Sequence, residues 1–266
     1  MYGVHSESAT VKSKNKQKQK AEQLNNLGAT CLRPAGRVEH PVMDAVIFDF
    51  DGVVVDSEPV HFACFRDVLA TVGLDLTLED YYDKYLGYDD HDCLLIAARD
   101  RGAELPERQI AALTAAKTKL VQRAFGESIQ PLPGAVALIR EIAAAGVPMA
   151  ICSGALRDEI ILAGRTVGVL DCFQAIVAAQ DVKHGKPDPE GYLAARELLA
   201  RAAGKDLCPR RCLVVEDSPA GIDAARSAGM KVLAVATSYK ANHLAKADRV
   251  VASLAGATFA ELQELL

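Results

Sequence analysis

The sequence predicts an α/β fold: a doubly wound parallel sheet with a small helical cap domain inserted after the first strand. Two observations favour this fold. From residue 44 onward, apolar segments of strand length alternate with helical patterns, which is typical of parallel sheets with right-handed crossovers. The first two strands are separated by residues 51–146, which is far more chain than one crossover needs.

Several apolar segments have the length and residue types of buried parallel strands. They are Ala45–Phe50, Val147–Cys152, Ala175–Ala178, Cys212–Val215 and Val232–Ala236. Helical patterns in the same region each stop at a glycine, the residue that commonly ends a helix. They are Pro133–Ala145, Pro189–Ala203 and Pro219–Ala228.

The long segment between the first two strands is helical in pattern. Its candidate helices are Val60–Val72, Leu78–Tyr85, Asp92–Arg101 and Glu107–Phe125. Prolines at its two ends, Pro59 and Pro131, indicate where the chain leaves and rejoins the sheet. We therefore assign residues 43–58 and 133–266 to the α/β core and residues 59–132 to the helical cap.

Residues 1–42 differ from the rest of the chain, with seven lysines and arginines against three glutamates and few apolar residues. Such a segment buries too little apolar surface to offset the entropy lost on ordering, so we expect a disordered basic tail. The whole chain has a formal net charge of -5, which argues against a dedicated nucleic-acid binder.

Seven cysteines without a framework spacing indicate reduced thiols and a cytoplasmic location. The best apolar stretch, Ala135–Cys152, is interrupted by Arg140 and Glu141. We therefore expect no membrane partner, because a span needs a longer uncharged stretch.

Polar residues follow four of the predicted strands, where the carboxyl ends of parallel strands form a ligand-binding crevice. In strand order they are Asp49 and Asp51, Ser153 and Gly154, Lys186, and Glu216 and Asp217. No single residue in this set is specific. Their joint order predicts one site that combines carboxylates, a hydroxyl, an amine and an exposed backbone amide.

The carboxylates of this set predict a magnesium site. Asp49 and Asp51 are two residues apart, so on an extended chain they project to the same side. Together with Glu216 and Asp217 they would repel one another without a cation. Oxygen ligands and an anionic substrate favour Mg²⁺, with all four carboxylates as candidate ligands. Whether Glu216 binds the ion directly or through water stays open.

The same residues predict hydrolysis of a phosphate ester. Asp49 can attack phosphorus to form an aspartyl-phosphate. Asp51 can protonate the leaving oxygen and then activate water. Ser153, the Gly154 amide and Lys186 can bind phosphoryl oxygens, although Ser153 could also cap the following helix. The prediction requires an accessible Asp49 carboxylate close to Lys186.

Four segments carry a family resemblance: DFDGVVVDSEPVH (49–61), ICSGA (151–155), GKPDP (185–189) and VVEDSPAGIDAA (214–225). In order and spacing they resemble the haloacid dehalogenase-like superfamily, in its phosphatase and phosphomutase branch with a helical cap. The resemblance covers about residues 44–253 and implies a Rossmann-like core. It implies a nucleophilic Asp49, an acid/base Asp51, phosphoryl binding by Ser153 and Lys186, and Mg²⁺ binding by the late acidic pair.

The predicted cap carries candidate substrate residues, namely His61, Gly87 and Asp90. His61 matches a histidine common in this branch, although a packed or exposed helical histidine fits equally well. Gly87 fits the pattern of the cap's substrate loop. Asp90 departs from the pattern, because mutases of the β-phosphoglucomutase type resemble this chain but carry an arginine there for a second phosphate. Ala155-Leu156 likewise stands where such mutases have Ser-Lys.

We therefore expect a cap-bearing cytoplasmic phosphatase that uses Mg²⁺ and hydrolyses a small phosphomonoester, such as a sugar phosphate or phosphoglycolate. The alternative is a sugar phosphomutase of the β-phosphoglucomutase type, which the missing cations disfavour. A phospho-aspartate receiver, from another class, would place its aspartate after the third strand and lack the insertion. We expect a monomer or small homo-oligomer.

Overall fold

The structure is a computed structural model that describes residues 43–86 and 88–266. The predicted tail, residues 1–42, and Gly87 lie outside the described residues. All of the described residues belong to one compact unit. They form a parallel sheet with helices on both faces and a helical insertion, so the predicted fold class is confirmed.

The central sheet has six parallel strands, and a second sheet is a two-stranded ribbon. In chain order the strands are β1 Ala45–Phe48, β2 Val55–Asp56, β3 Gln130–Pro131, β4 Met149–Cys152, β5 Ala175–Val177, β6 Cys212–Glu216, β7 Lys231–Val235 and β8 Arg249–Val251. The central order is β5-β4-β1-β6-β7-β8. This order places β1 between β4 and β6, where the candidate site residues converge.

The helices of the described chain alternate with these strands. They are α1 Glu58–Ala70, α2 Leu78–Asp80, α3 Asp90–Asp100, α4 Glu107–Glu127, α5 Ala135–Ala144, α6 Arg157–Thr166, α7 Glu190–Ala203, α8 Pro219–Ser227 and α9 Phe259–Gln263. A π-helical turn, Tyr81–Tyr85, follows α2. Within the described residues, every helix is too short or too polar to cross a membrane.

Successive side chains of each strand point to opposite faces of the sheet. Helices cover both faces, so both sets of side chains are buried. Val46 and Phe48 of β1 belong to an apolar cluster that includes residues of α5, α6 and α9. Ala45 and Ile47 belong to a second cluster with residues of α7 and α8. Strands β1, β4 and β5 are therefore apolar along their whole length, as expected for a parallel sheet covered by helices.

The insertion consists of α1 to α4 between β2 and β3. It has an apolar cluster of its own, which includes Phe65, Leu69 and Leu94. At its base β2 and β3 pair antiparallel, with Val55 opposite Pro131. The two chain segments that join the insertion to the sheet therefore run side by side.

Several elements differ from the sequence prediction. The first strand ends at Phe48 rather than Phe50, because the Phe50 carbonyl accepts bonds from the N–H groups of Val54 and Val55, which turns the chain. Strands β2, β3 and β8 and helix α9 were not predicted, and helix α6 was expected after Ser153 but without bounds. β2, β3 and β8 have only two or three residues each, too few to show a period.

Leu138 of α5 is fully buried against the sheet. We expect Leu138→Ala to lower the free energy of unfolding by about 2–5 kcal/mol, because it removes buried apolar surface and leaves a cavity. Urea denaturation measures the change. Leu198→Ala, at a position that is 39 % exposed on α7, is the matched control and should cost less than about 1 kcal/mol. Equal losses would contradict the packing described.

Candidate active site

The polar residues that follow β1, β4 and β6 meet at one edge of the sheet because these strands are parallel neighbours. Backbone pairing continues past the strand ends: the Asp49 N–H donates to the Val215 carbonyl at 2.9 Å, and the Ser153 N–H donates to the Val177 carbonyl at 3.0 Å. These bonds fix where Asp49 and Ser153 leave the sheet. Lys186 comes from the segment before α7.

The centre of the site is a cluster of three buried carboxylates, from Asp49, Glu216 and Asp217, whose oxygens lie within 4.8 Å of one another. The Lys186 Nζ lies 2.9 Å from Asp49 Oδ1 and 2.6 Å from Glu216 Oε1. The Asp49 side chain keeps 11 % of its surface exposed, whereas Glu216 has none. The structure therefore brings together these four predicted residues and leaves Asp49 a narrow opening.

Glu216 is held by bonds to both of its oxygens. Oε1 accepts from Lys186 Nζ and, at 3.0 Å, from the Tyr192 hydroxyl. Oε2 accepts from the Asp217 N–H at 2.7 Å, and from the Ser218 N–H and hydroxyl at 2.8 and 3.0 Å. These bonds allow the carboxylate only one orientation, and that orientation aims Oε1 at Lys186.

The charges of this cluster act strongly on one another because they lie close together in a buried place. Burial raises the pKa of Asp49 well above its ordinary value, although Lys186 opposes the shift. Burial and the neighbouring Glu216 charge raise the pKa of Asp217 to about 7. Burial opposes ionisation of Glu216 too, but Lys186 outweighs it and lowers the pKa of Glu216. The Lys186 ammonium is thus the positive charge among three acids, and a further cation would stabilise their ionised forms.

Asp51 stands apart from the three-carboxylate cluster. The Ser153 hydroxyl donates to Asp51 Oδ2 at 3.3 Å and accepts from the Ala155 N–H at 2.9 Å. Burial raises the pKa of Asp51, and the Ser57 and Ser153 hydroxyls offset only part of the rise. A raised pKa keeps a proton on this carboxyl to higher pH, which suits a group that donates a proton.

The turn between β4 and α6 holds Ser153 and Gly154. Helix α6 begins at Arg157 and its N-cap is Leu156, so Ser153 does not cap this helix. Gly154 is exposed, with open space where a side chain would stand. The backbone at Gly154 can therefore be approached closely, beside the Ser153 hydroxyl.

Two glycines make room for the carboxylates. Gly52 has a φ of 71°, and a Cβ at this position would overlap Asp217 Oδ2. A Cβ on Gly221, in the first turn of α8, would overlap the Glu216 carboxylate. Any larger residue at either position would displace an acid of the cluster.

Sequence reasoning missed two residues that support the cluster. Tyr192 of α7 is fully buried, and Lys186 Nζ lies 5.2 Å from the centre of its ring. Ser238 follows β7, and its hydroxyl donates to Asp217 Oδ2. Tyr192 looks like an ordinary helix core residue in the sequence. Ser238 had a usable signal, because it follows a predicted strand at the edge where ligands bind.

In the insertion, His61 of α1 and Asp90 of α3 both contact a residue that sequence reasoning missed, Lys117 of α4. Lys117 Nζ lies 2.8 Å from His61 Nδ1 and 2.5 Å from Asp90 Oδ1. Burial, together with the Lys117 charge, lowers the pKa of His61 to about 3. His61 is therefore a packed, neutral histidine. Gly87, the third candidate of the insertion, lies outside the described residues.

The donor set of the cluster fits a hard divalent cation. Carboxylate oxygens are the ligands that such ions prefer. Asp49, Glu216 and Asp217 supply them within 4.8 Å of one another. Burial first, and then the charges of the neighbouring acids, raise the pKa of Asp49 and Asp217, and a bound cation would oppose both effects.

The parallel sheet, the inserted helices and the acidic cluster with its lysine define a phosphoric monoester hydrolase. The chain belongs to the haloacid dehalogenase-like hydrolases, whose family model matches residues 43–229. The matched range includes every predicted site residue from Asp49 to Asp217. The resemblance noted in the sequence is therefore confirmed.

Similar proteins include both phosphatases and mutases. Hexitol phosphatase A of Escherichia coli (strain K12) is 32 % identical over 209 residues, which are 78 % of this chain and 90 % of that protein. CbbY from Rhodobacter sphaeroides in complex with phosphate has a TM-score of 0.72 at 25 % identity, covering 83 % of this chain and 99 % of that chain. β-Phosphoglucomutase from Clostridium difficile has a TM-score of 0.68 at 25 % identity, covering 84 % and 96 %.

The raised pKa of Asp217 makes stability pH-dependent in the presence of a chelator. A carboxyl whose pKa rises on folding binds its proton more tightly in the folded state. Stability from this group is therefore greatest below its ordinary value of 3.8 and falls as the pH rises to about 7. We expect Asp217→Asn to remove much of this fall in Tm, measured between about pH 4 and 8.

The matched control is Asp206→Asn, which changes an exposed acid after α7 and should leave the wild-type slope. A divalent cation should raise the Tm of the wild type, because it binds the folded state alone. An unchanged slope in Asp217→Asn would contradict the electrostatic description of the cluster.

Proposed function

We propose that this enzyme is a Mg²⁺-dependent phosphatase that hydrolyses a small phosphomonoester, such as a sugar phosphate, through an aspartyl-phosphate formed on Asp49. One observation carries the proposal. At the carboxyl edge of the sheet, the partly accessible Asp49 carboxylate shares the Lys186 ammonium with Glu216, at 2.9 and 2.6 Å, and Asp217 completes the cluster.

Asp49, Glu216 and Asp217 would hold the Mg²⁺. When bound, the ion supplies positive charge that offsets the repulsion between the nucleophilic carboxylate and the phosphoryl oxygens. Asp51 was also a candidate ligand from the sequence. Because its carboxylate lies with Ser153 and outside the cluster, we give its side chain the acid/base role instead.

In the first step an Asp49 carboxylate oxygen attacks phosphorus and the ester oxygen leaves. Lys186 lies against Asp49 Oδ1, so it favours the ionised nucleophile despite burial. The same ammonium meets the phosphoryl oxygens that arrive beside Asp49. The Ser153 hydroxyl and the Gly154 amide bind the remaining oxygens from the neighbouring strand.

Asp51 would protonate the leaving oxygen with the proton that its raised pKa retains. The carboxylate that results then accepts a proton from the water that hydrolyses the aspartyl-phosphate. In the free enzyme the Ser153 hydroxyl holds Asp51 through its bond to Oδ2, and its one proton turns to a phosphoryl oxygen when substrate binds. This arrangement gives the two aspartates separate roles, with one bonded to phosphorus and the other exchanging protons.

We propose residues 43–58 and 133–266 as the catalytic core and residues 59–132 as a cap that excludes bulk water. The β2–β3 ribbon supports this division, because it joins the two parts at one place.

We propose a cytoplasmic monomer or small homo-oligomer without nucleic-acid or membrane partners. The six described cysteines are free, as the cytoplasm favours, and the net charge of -5 disfavours polyanions.

Asp49→Asn should lower the rate of phosphate release from a panel of sugar and polyol phosphates with Mg²⁺ by roughly 10³-fold or more. The reason is that the amide cannot act as the nucleophile. Release of inorganic phosphate measures the rate. Asp171→Asn, at an exposed acid outside the site, is the control and should keep wild-type activity. Full activity in Asp49→Asn would refute the assigned nucleophile.

Conversion of a sugar 1-phosphate to its isomer without phosphate release would favour the mutase alternative.

Asp51→Asn should lower kcat for alkyl phosphates by about 10²–10⁴-fold, because the leaving alkoxide then receives no proton. The rate of aspartyl-phosphate formation should fall less with p-nitrophenyl phosphate, whose leaving group needs no proton. Single-turnover kinetics separates this step. A chelator should stop both reactions, and Mg²⁺ should restore them. Equal losses of this rate with both esters would count against an acid role for Asp51.

A further inference from the structure

Tyr192 of α7 contacts both members of the lysine–glutamate pair at the site. Its side chain is fully buried, and its hydroxyl lies 3.0 Å from Glu216 Oε1. An ionised carboxylate can only accept, so the tyrosine hydroxyl donates this bond. The Lys186 Nζ lies over the tyrosine ring, 5.2 Å from its centre, where an ammonium is attracted to an aromatic face. One side chain therefore acts on the acid through its hydroxyl and on the lysine through its ring.

Close packing of α7 on β4 holds this side chain in place. Gly191 comes directly before Tyr192, and a Cβ on this glycine would lie 2.8 Å from Cys152 Sγ. Tyr192 also belongs to the apolar cluster on this face of the sheet, together with Ala195 and Leu199 of the same helix. The start of α7 therefore lies as close to β4 as a glycine allows, and the ring is held beside the site.

Lys186 divides its N–H groups between two acids. Its Nζ lies 2.6 Å from Glu216 Oε1 and 2.9 Å from Asp49 Oδ1. An ammonium has three donors, so one of them remains for a phosphoryl oxygen. That donor is useful only while the lysine stays beside Asp49, because the phosphoryl group binds there in the proposed function.

The tyrosine hydroxyl limits how strongly Glu216 attracts the lysine. Glu216 Oε1 accepts from the hydroxyl as well as from the ammonium, so two donors share the charge of this oxygen. Without the hydroxyl, Lys186 would be the only donor to Oε1 among the residues that the structure describes. Its contact with Glu216 would then strengthen at the expense of the longer contact with Asp49.

The tyrosine ring limits where else the lysine can go. Lys186 and Tyr192 both line a cavity of about 300 Å³, and so does the exposed acid Asp188. A space of this size can take water or a displaced side chain, and Asp188 would offer the ammonium another partner. The aromatic face beside the ammonium favours its present position over a turn into the cavity.

We propose that Tyr192 is a positioning residue for phosphoryl binding: its hydroxyl and its ring keep Lys186 shared between Glu216 and Asp49, with one N–H left for the phosphate. This inference rests on the proposed phosphatase function and adds to it a residue that does not touch the substrate.

Calorimetry with inorganic phosphate in the presence of Mg²⁺ tests the proposal without turnover. Tyr192→Phe keeps the ring but removes the hydroxyl, and it should weaken phosphate binding by about tenfold. Tyr192→Leu removes both and should weaken it by about fiftyfold. Tyr82→Phe, at a tyrosine that is 41 % exposed, is the matched control and should bind phosphate as the wild type does. Thermal unfolding establishes that each variant is folded before the titration.

A crystal structure of Tyr192→Phe gives a result that general damage would not produce. The fold should be unchanged, while the distance from Lys186 Nζ to Asp49 Oδ1 should lengthen beyond about 3.5 Å, past hydrogen-bond range. In steady-state kinetics, kcat/KM should fall by the same factor for alkyl phosphates and for p-nitrophenyl phosphate, because Lys186 acts at phosphorus and not at the leaving oxygen. An unmoved lysine or unchanged phosphate affinity in Tyr192→Phe overturns the proposal.

The binding and structural results separate this inference from the proposed function. If the wild type binds phosphate but releases none from any ester, while Tyr192→Phe weakens binding and displaces Lys186, the function alone is refuted. If the wild type hydrolyses esters and Tyr192→Phe changes neither the affinity nor the lysine position, the inference alone is refuted. A wild type that does not bind phosphate with Mg²⁺ overturns both.

Discussion

The contacts of Lys186 with Asp49 and Glu216 are the interaction on which the site depends. Three carboxylates lie buried within 4.8 Å of one another, an arrangement that repulsion and loss of hydration both oppose. The Lys186 ammonium, 2.9 Å from Asp49 and 2.6 Å from Glu216, offsets part of this repulsion and lost hydration. The remaining excess of negative charge is what suits the cluster to the divalent cation that we propose. The lysine contacts that allow three acids to be buried together thus also set the position of the Asp49 carboxylate.

The parallel sheet and its flanking residues convert that interaction into a defined geometry. β1 lies between β4 and β6, so ladder bonds on both sides fix the direction in which Asp49 leaves the sheet. Tyr192 and Ser218 hold Glu216, and the absence of a side chain on Gly221 leaves space for it. The position of each acid is therefore set by backbone pairing and by buried donors, which do not need to reorganise when substrate arrives.

Lys186 and Lys117 have different electrostatic surroundings. Lys186 faces more acids than it can neutralise, and its surroundings favour a second cation. Lys117 faces one acid and a neutral histidine, so its charge is already paired. The same residue type thus leaves an excess of negative charge in one place and a balanced ion pair in another. The difference arises from the number of carboxylates around each ammonium, because both side chains are largely buried, with 18 % of Lys186 and 2 % of Lys117 exposed.

The sequence alone determined the fold class and the central residues, because apolar periodicity and the placement of polar residues after strands are local properties. It located Asp49, Asp51, Ser153, Lys186 and the late acidic pair on that basis. Only the tertiary structure decided what surrounds them. Lys117 lies 27 residues from Asp90 and 56 from His61, so no spacing in the chain links them. Whether a lysine is solvated or buried against an acid depends on how helices pack, and packing is decided by contacts between distant segments.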